Sequence, residues 1–305
     1  MNLIDSLAAH PEVKSRDCGD GITSFNFTRK AFAKGLWDET NMRARGLFLD
    51  DSGAIVGRGY DKFFNVNQSP GFTRDEVIQD FVGPITVSEK KNGFLAIMFM
   101  HNGDTKIFTK GGPGDFADEA RRVITASLGD NLDDFTQELL GRNASATFEI
   151  ISDNDNHIID EGAERAVLLD IIVNTDVYSP VDKSIVDKIG HDNGLEVAPY
   201  WVISEDDVAG ELDRSAAMKT EGTVIMDSEG RMTKVKSDYY SRVKALRAGL
   251  TRIWLGWTPR RINDDLAFLI DNGMDQETIF AYVVDSISGP EVNLPELVKD
   301  YFPEW

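Results

Sequence analysis

Residues 89–100 read Glu89-Lys90-Lys91-Asn92-Gly93-Phe94-Leu95-Ala96-Ile97-Met98-Phe99-Met100. A polar turn ending in glycine runs straight into an unbroken apolar stretch, the pattern of a buried strand. Gly93 tolerates a positive φ and close backbone approach, so the amine of Lys90, at the mouth of that strand, can come near a bound phosphate. A free lysine has a pKa of about 10.4, so a nucleophilic role requires burial or neighbouring cations to favour the neutral amine. Lys91 is adjacent in sequence. By itself, Lys-x-x-Gly equally fits a hairpin turn carrying two solvated lysines.

The chain has 305 residues, 41% hydrophobic and 10% aromatic, enough for one large or two unequal globular domains. No stretch approaches the roughly 18 uninterrupted apolar residues of a membrane span. Met1–Val13 carries Asp5 and His10 and lacks the basic flank and apolar block of a signal peptide, so a cytoplasmic location is expected. The single cysteine, Cys18, cannot form an internal disulfide, and no Cys/His cluster has zinc-ligand spacing. The Asn143-Ala144-Ser145 sequon then carries no meaning. A net charge of −20 opposes simple binding to a nucleic-acid backbone. Yet Arg231 to Arg261 holds nine basic residues and one acidic residue, Asp238, while 115–164 is rich in Asp and Glu. The basic run is either a solvated helix face or a local basic surface on an acidic body.

Outward from residues 89–100, strands are predicted at Arg43–Leu49, Ala54–Tyr60, Thr105–Lys110, Ala146–Ser152, Ala166–Val173 and Val197–Ile203. Helical spacing marks Asp115–Leu128 and Leu132–Leu140, and Ser179-Pro180 supplies an N-cap and first-turn proline for a helix reaching Ile189. Gly111-Gly112-Pro113-Gly114 lacks the Walker pattern and reads as a connector. Segments Ser241–Leu255, Arg260–Asp271 and Asp275–Ser286 read as helices. The pattern is that of an α+β body on antiparallel sheets, residues 1–240, followed by a small all-helical domain, residues 241–305.

Chemistry-bearing residues recur along this body. Glu221–Met226, Asp227-Ser228-Glu229-Gly230 and Arg231–Lys236 read as strand, turn and strand. With Ser228 and Glu229 at the turn centre, Glu221 lies about opposite Lys236, and period-two alternation puts Lys234 and Lys236 on one face. In Ala146–Ile151 a lone carboxylate, Glu149, interrupts an apolar strand; it is either buried and partnered or faces water from an edge strand. Arg45-Gly46 opens one strand, and Lys62 stands beside the aromatic pair Phe63-Phe64.

These elements, in this order, resemble the covalent nucleotidyltransferase superfamily, and most closely the phage-type ATP-dependent RNA ligases of the RNA ligase 1 kind. Lys90 to Gly93 matches the nucleophile motif, Phe148-Glu149 the Phe-Glu strand motif, Glu221-Gly222 the Glu-Gly-aliphatic motif, and Lys234 and Lys236 the closing Lys-x-Lys motif. Ala166–Val173 would be the strand before a metal-binding motif. Ala44-Arg45-Gly46 and Asp61-Lys62-Phe63-Phe64-Asn65 look like the upstream motifs of these RNA ligases. The match covers roughly residues 40 to 240.

The resemblance implies a nucleotidyltransferase (ATP-grasp-like ligase) domain of antiparallel sheets with flanking helices, and ATP and Mg²⁺ as cofactors. Lys90 would take AMP from ATP, pass it to an RNA 5′-phosphate, and a 3′-hydroxyl would then displace it. Lys234 and Lys236 would stabilise the α-phosphate and lower the pKa of Lys90; Arg45 and Lys62 would orient phosphates; Glu221 would hold the metal; Glu149 would contact the ribose. Tyr240 would assist at the phosphates or pack beneath them, and Glu89 would either recognise adenine or be a solvated turn residue. The implied partner is RNA with 5′-phosphate and 3′-hydroxyl ends, single-stranded or a broken tRNA loop, with no membrane and no protein partner. Many relatives carry aspartate where this chain has Asn92, which leaves a charged or metal-linked role for that position in doubt. The alternatives are a DNA ligase or GTP-dependent capping-type enzyme, against which the lack of an evident oligonucleotide-binding barrel after Tyr240 counts, and a non-catalytic RNA-binding module using the basic run.

Overall fold

The computed structural model describes residues 3–155 and 158–245. Its strands are β1 (Val13–Asp17), β2 (Ile22–Phe27), β3 (Arg45–Asp50), β4 (Ile55–Arg58), β5 (Phe64–Asn65), β6 (Ile85–Glu89), β7 (Phe94–His101), β8 (Asp104–Thr109), β9 (Ala144–Ile151), β10 (Arg165–Val173), β11 (Glu196–Val197), β12 (Tyr200–Ile203), β13 (Gly222–Met226) and β14 (Met232–Lys236). The α-helices are α1 (Leu3–Ala9), α2 (Arg29–Lys34), α3 (Glu39–Arg43), α4 (Arg74–Asp80), α5 (Asp115–Leu128), α6 (Leu132–Arg142), α7 (Lys183–Asp192) and α8 (Val208–Ala216). Three sheets result: an N-terminal sheet β1-β2-β3-β4, a central sheet β11-β10-β9-β7-β8 and a third sheet β12-β6-β13-β14-β5. Most pairings are antiparallel, which is the expected α+β architecture.

The apolar run in β7 is continuous because both of its faces are covered. Ala96 and Met98 pack with Ile107, Val123, Phe135 and Phe148, beneath α5 and α6. Ile97 and Phe99 point the other way, into a cluster with Ile22, Phe48 and Phe108 that joins the central and N-terminal sheets. Alternation thus divides one strand between two cores. A third cluster, with Tyr60, Ile172 and Met232 at its centre and Leu95, Leu169 and Val224 at its margin, lies between the central and third sheets.

Several boundaries differ from expectation for identifiable reasons. The helix expected from Ser179-Pro180 starts later, with Asp182 as N-cap accepting from the Ser184 amide. Pro180 bridges to Ile172 and the Val181 amide bonds the Ile171 carbonyl, so these residues extend β10's ladder instead of starting a helix. The strand expected over 197–203 is two: β11 pairs with β10 and β12 with β6, the chain changing sheets at Ala198-Pro199. Proline, lacking an N–H, is suited to end a ladder there. The β13–β14 register pairs Gly222 with Lys236, one residue from the expected pairing, because the turn spans Asp227 to Arg231. The N-terminal strands β1 and β2, and β6, are elements that the hydropathy pattern had not singled out.

Residues 238–245 are helical. The rest of the helical segments expected over 241–286, and the all-helical domain they were expected to build, lie outside the described residues. Among the described residues, no helix is long and apolar enough to cross a membrane.

Candidate active site

The Lys90–Gly93 turn connects β6 of the third sheet to β7 of the central sheet. It therefore stands where the two sheets diverge, at one end of a cavity of about 660 Å³. Gly93 has an ordinary φ, so the expected left-handed turn is not what selects glycine here. Crowding is: a Cβ would lie 2.2 Å from the Ile150 carbonyl oxygen. That close passage lets the Gly93 amide donate to Glu149 Oε1 at 2.9 Å.

The third sheet brings the metal-ligand candidate to the lysine. Thr223 of β13 pairs with Glu89 of β6, and the Lys90 amide bonds the Gly222 carbonyl at 2.9 Å. Gly222 has φ +125°, and a Cβ there would sit 2.0 Å from the Val235 carbonyl. Only glycine permits β13 and β14 to close beside Glu221 in this way. Glu221 Oε1 is 2.9 Å from Lys90 Nζ and 3.2 Å from Lys236 Nζ. Its Oε2 accepts from Asn92 Nδ2 at 2.9 Å. Burial pushes the Glu221 carboxyl up, but Lys90 and Lys236 outweigh it and hold the group below its ordinary value.

Asn92 is the hub of this end. Its Oδ1 accepts from the Ile158 and Ile159 amides at 2.8 and 2.9 Å, which leaves Nδ2 to face Glu221. Its own amide donates to Glu161 Oε1 at 2.9 Å. Lys91 is turned away into carboxylates, 2.8 Å from Glu89 and 3.5 Å from Glu161. Burial disfavours its charge, yet Glu89 and Glu161 more than compensate and its pKa rises. Lys91 is thus neutralised locally.

Glu149 belongs to β9, flanked by β10 and β7, so the edge-strand alternative does not apply. The carboxyl is buried, and burial pushes its pKa up to about 7, with Glu221 adding to the rise and Lys90, the Gly93 amide and Arg45 opposing it. Burial likewise brings Lys234 down to about 7, helped by the positive charges of Arg45, Lys62, Lys90 and Lys236. Lys236 is lowered by burial, with Lys244 and Lys90 adding and Glu221 opposing.

Arg45 lines the same cavity, donates to the Tyr60 carbonyl at 3.3 Å and lies 5.7 Å from the Phe63 ring. Lys62 does not line the cavity; its ammonium bonds the Phe63 carbonyl at 2.7 Å and sits 3.6 Å from the Phe64 ring centre. Burial, then Arg45, lowers its pKa to about 8. Tyr240 is buried with its ring 4.1 Å beneath the Lys236 ammonium, also off the cavity wall. Glu89 lines the cavity from the end of β6 and is held by Lys91. The structure therefore gathers Lys90, Lys234, Lys236, Arg45, Glu89, Gly93, Glu149 and Glu221 around one space and sets Lys62 and Tyr240 behind it.

Sequence reading passed over other residues on this wall. Asp170 of β10 accepts from Tyr60 Oη at 2.5 Å and pairs with Lys183 at 2.9 Å, all three lining the cavity. Its signal was a carboxylate inside an apolar strand, the same signal that marked Glu149. Lys110 and Lys14 also line the cavity, and nothing in their local sequence distinguishes them from surface lysines. Among the described residues, no cluster of three or more His, Cys, Asp or Glu side chains could hold a metal ion. A divalent ion fits here only as one shared between one or two carboxylates, water and substrate phosphate, the usual arrangement for Mg²⁺.

Comparison with known proteins gives the family. A family model for RNA ligase matches residues 43–245, which contain every site residue above except Lys14. The chain belongs to the RNA ligase family. A tRNA ligase of Candida albicans is 39% identical over 80 residues, covering 26% of this chain and 10% of that protein. A tRNA ligase of Schizosaccharomyces pombe is 29% identical over 160 residues, 48% of this chain and 19% of that protein. The chain thus spans no more than about a fifth of the curated relatives it matches. Among solved structures, an archaeal ATP-dependent RNA ligase has the same fold, with a TM-score of 0.57 at 15% identity, over 98% of this chain and 78% of the other.

Proposed function

We propose that this chain is an ATP-dependent RNA ligase that joins a 5′-phosphate to a 3′-hydroxyl through a lysyl-AMP on Lys90 and an adenylylated RNA end. The observation that carries the reading is the junction of Lys90, Glu221 and Lys236 within 3.2 Å contacts, beside a Lys234 that has no carboxylate of its own within 4 Å among the described residues. Membership of the RNA ligase family supports RNA over DNA as the strand sealed.

In the first step Lys90 Nζ forms a bond to the α-phosphorus while the bond to the pyrophosphate oxygen breaks. The amine must arrive without its proton, which it gives up to solvent, and Glu221 Oε1 at 2.9 Å fixes its position. In the second, a 5′-phosphate oxygen of RNA displaces Lys90 from the α-phosphorus, and the departing amine regains a proton. In the third, a 3′-oxygen attacks the 5′-phosphorus, loses its proton and expels AMP. Lys234 and Lys236 oppose the charge that builds on the phosphoryl oxygens. The apolar slot of Leu95, Leu169, Val224 and Met226 suits a flat base, with Glu149 placed for the ribose. A divalent cation, Mg²⁺ being the expected one, would be held by Glu221 and Glu149 with phosphate oxygens and would neutralise charge on the triphosphate. The names of the fungal relatives favour a broken tRNA loop as substrate.

Incubation with α-labelled ATP and Mg²⁺ is expected to give an acid-stable protein–AMP adduct that Lys90→Ala abolishes. Chase with 5′-phosphorylated single-stranded RNA, a nicked tRNA anticodon stem-loop and nicked duplex DNA should discharge the adduct onto RNA. A wild-type chain that forms no adduct, or that seals DNA in preference, would refute the assignment.

A further inference from the structure

The start of β7 divides the apolar lining of the cavity in two. Leu95 faces the slot assigned above to the nucleotide's base, at the margin of the cluster between the central and third sheets. Phe94 precedes it, so alternation turns its ring to the other side of the strand, where it packs on the core beneath α5 and α6. Phe94 still lines the cavity, because β7 begins there. Phe116, in the first turn of α5, lies against it: the two rings meet edge to face, with centroids 5.0 Å apart and planes at 77°.

Phe116 is 55% exposed, whereas α5 buries Ala117, Ala120 and Val123, and its other exposed positions are polar or alanine. Single apolar residues on a surface are ordinary. The position of this one is not: among the described residues, Phe116 is the only exposed large hydrophobic side chain that lines the cavity. An edge-to-face contact uses at most one face of its ring, so a second face stays open to solvent at the cavity rim.

The backbone holds the ring there. The Gly112 amide bonds the Thr109 carbonyl at 3.0 Å, and Arg16 Nη1 donates to the Gly111 carbonyl at 3.4 Å. Gly112 has φ +96°, and a Cβ there would sit 2.8 Å from Cys18 Sγ, so the connector is packed tightly against the N-terminal sheet. The Ala117 amide then bonds the Gly114 carbonyl at 2.7 Å, and the Ala117 side chain is buried with Ile97 and Phe108. The first turn of α5 is thereby fixed on both sides of Phe116. The connector of residues 111–114 thus sets where that ring stands.

We propose that Phe116, set against Phe94, is a stacking platform for the unpaired base at the 5′ end of the RNA strand. The inference rests on the ligase reading, in which the RNA 5′-phosphate must reach the phosphorus held by Lys90 while the nucleotide's base fills its own slot. The first nucleoside of the RNA arrives with that phosphate, and its base has to lie outside the filled slot. Tyr60 and Phe63, which also line the cavity, belong to the cluster on the slot side, whereas Phe94 and Phe116 stand on the other. An aromatic ring with a free face takes any unstacked base, which suits an enzyme that joins single strands or broken loops.

The test separates the base from the rest of the strand. Two 5′-phosphorylated oligoribonucleotides, one complete and one abasic at its 5′-terminal nucleotide, are titrated without ATP or Mg²⁺ against wild type, Phe116→Ala and Phe116→Trp. Leu140→Ala is the control, because Leu140 is 54% exposed on α6 and off the cavity. Phe116→Ala is expected to weaken the complete strand about ten-fold, the scale of one base–aromatic stack, and to leave the abasic strand as wild type binds it. Phe116→Trp should hold the complete strand at least as tightly as wild type, with indole fluorescence quenched by that strand and not by the abasic one. Equal weakening of both strands by Phe116→Ala, or of neither, overturns the platform. The adduct assay on wild type is independent. A chain that forms no adduct but shows the base-dependent loss keeps the platform and sinks the ligase reading; one that forms the adduct without that loss does the reverse.

Discussion

On the wall built by β6, β13 and β14, Lys90 and Lys236 share the Glu221 carboxylate, and Asn92 fixes that carboxylate from the other side. On the wall built by the N-terminal sheet and the end of β8, Lys14, Arg45 and Lys110 face the same space, and among the described residues none of the three forms an ion pair within 4 Å. On one wall two lysines share a carboxylate and the geometry is set by short contacts. The other is left charged and is held in place through backbone: a hydrogen bond to the Lys110 carbonyl and the close passage of Gly46. The contrast separates two tasks. A reacting amine needs a defined partner at contact distance, whereas a subsite for phosphate needs charge that no protein group has already satisfied.

Removing the shared carboxylate should break the comparison most severely. Glu221→Gln keeps the size of the side chain but leaves Lys90 and Lys236 without their shared carboxylate. Adduct formation from ATP is expected to fall by about 10²–10³, the usual scale for losing one preorganised electrostatic partner, with the melting temperature little changed. Near wild-type adduct formation would mean that Lys90 does not depend on its pairing with Glu221.

A subtler change adds charge to the paired wall. In Asn92→Asp one oxygen would keep the Ile158 and Ile159 amides, and the other would face Glu221 Oε2 where Nδ2 now sits at 2.9 Å. Two carboxylates so placed resist joint ionisation, raising the pKa of the pair. The acid limb of the adenylylation rate should move to higher pH, with the loss at slightly acidic pH on the order of ten-fold and recovery on the alkaline side. A uniform loss at all pH values would indicate a fold defect instead. An aspartate at position 92 therefore changes how Glu221 is held.

Much of this wall was legible in the sequence. Lys90, Gly93, Glu221, Lys234 and Lys236 are fixed by local patterns: a glycine at a crowded turn, a glycine after a carboxylate, alternation along a strand. The α5 boundaries were legible for the same reason, since a helix reports its own periodicity. Partnerships across sheets were not. That Lys91 would be absorbed by Glu89 and Glu161 while Lys90 met Glu221 depends on β6 pairing with β13, a contact between residues more than a hundred apart. Lys14 was illegible for a related reason, because its relevance comes from lying opposite Asn26, which lies opposite Arg45.

Glu149 sits where the two walls meet, influenced by Lys90 and Glu221 on one side and Arg45 on the other. Its pKa in the folded chain, about 7, lies above the ordinary 4.5. A carboxyl raised in this way contributes stability below pH 4.5 that is lost as pH rises through 7, because the folded state then has to hold a buried charge that the unfolded state exposes to water. Glu149→Gln can still accept the Gly93 amide but has no proton to lose. Its melting temperature relative to wild type should climb between pH 4.5 and about 7 and stay level above, by on the order of a few degrees. A difference independent of pH would show that Lys90 and Arg45 already compensate the charge, so that the boundary between the walls is neutralised in the free chain. A difference that follows this window and then disappears when ATP and Mg²⁺ are added would place the compensation in the bound substrate instead.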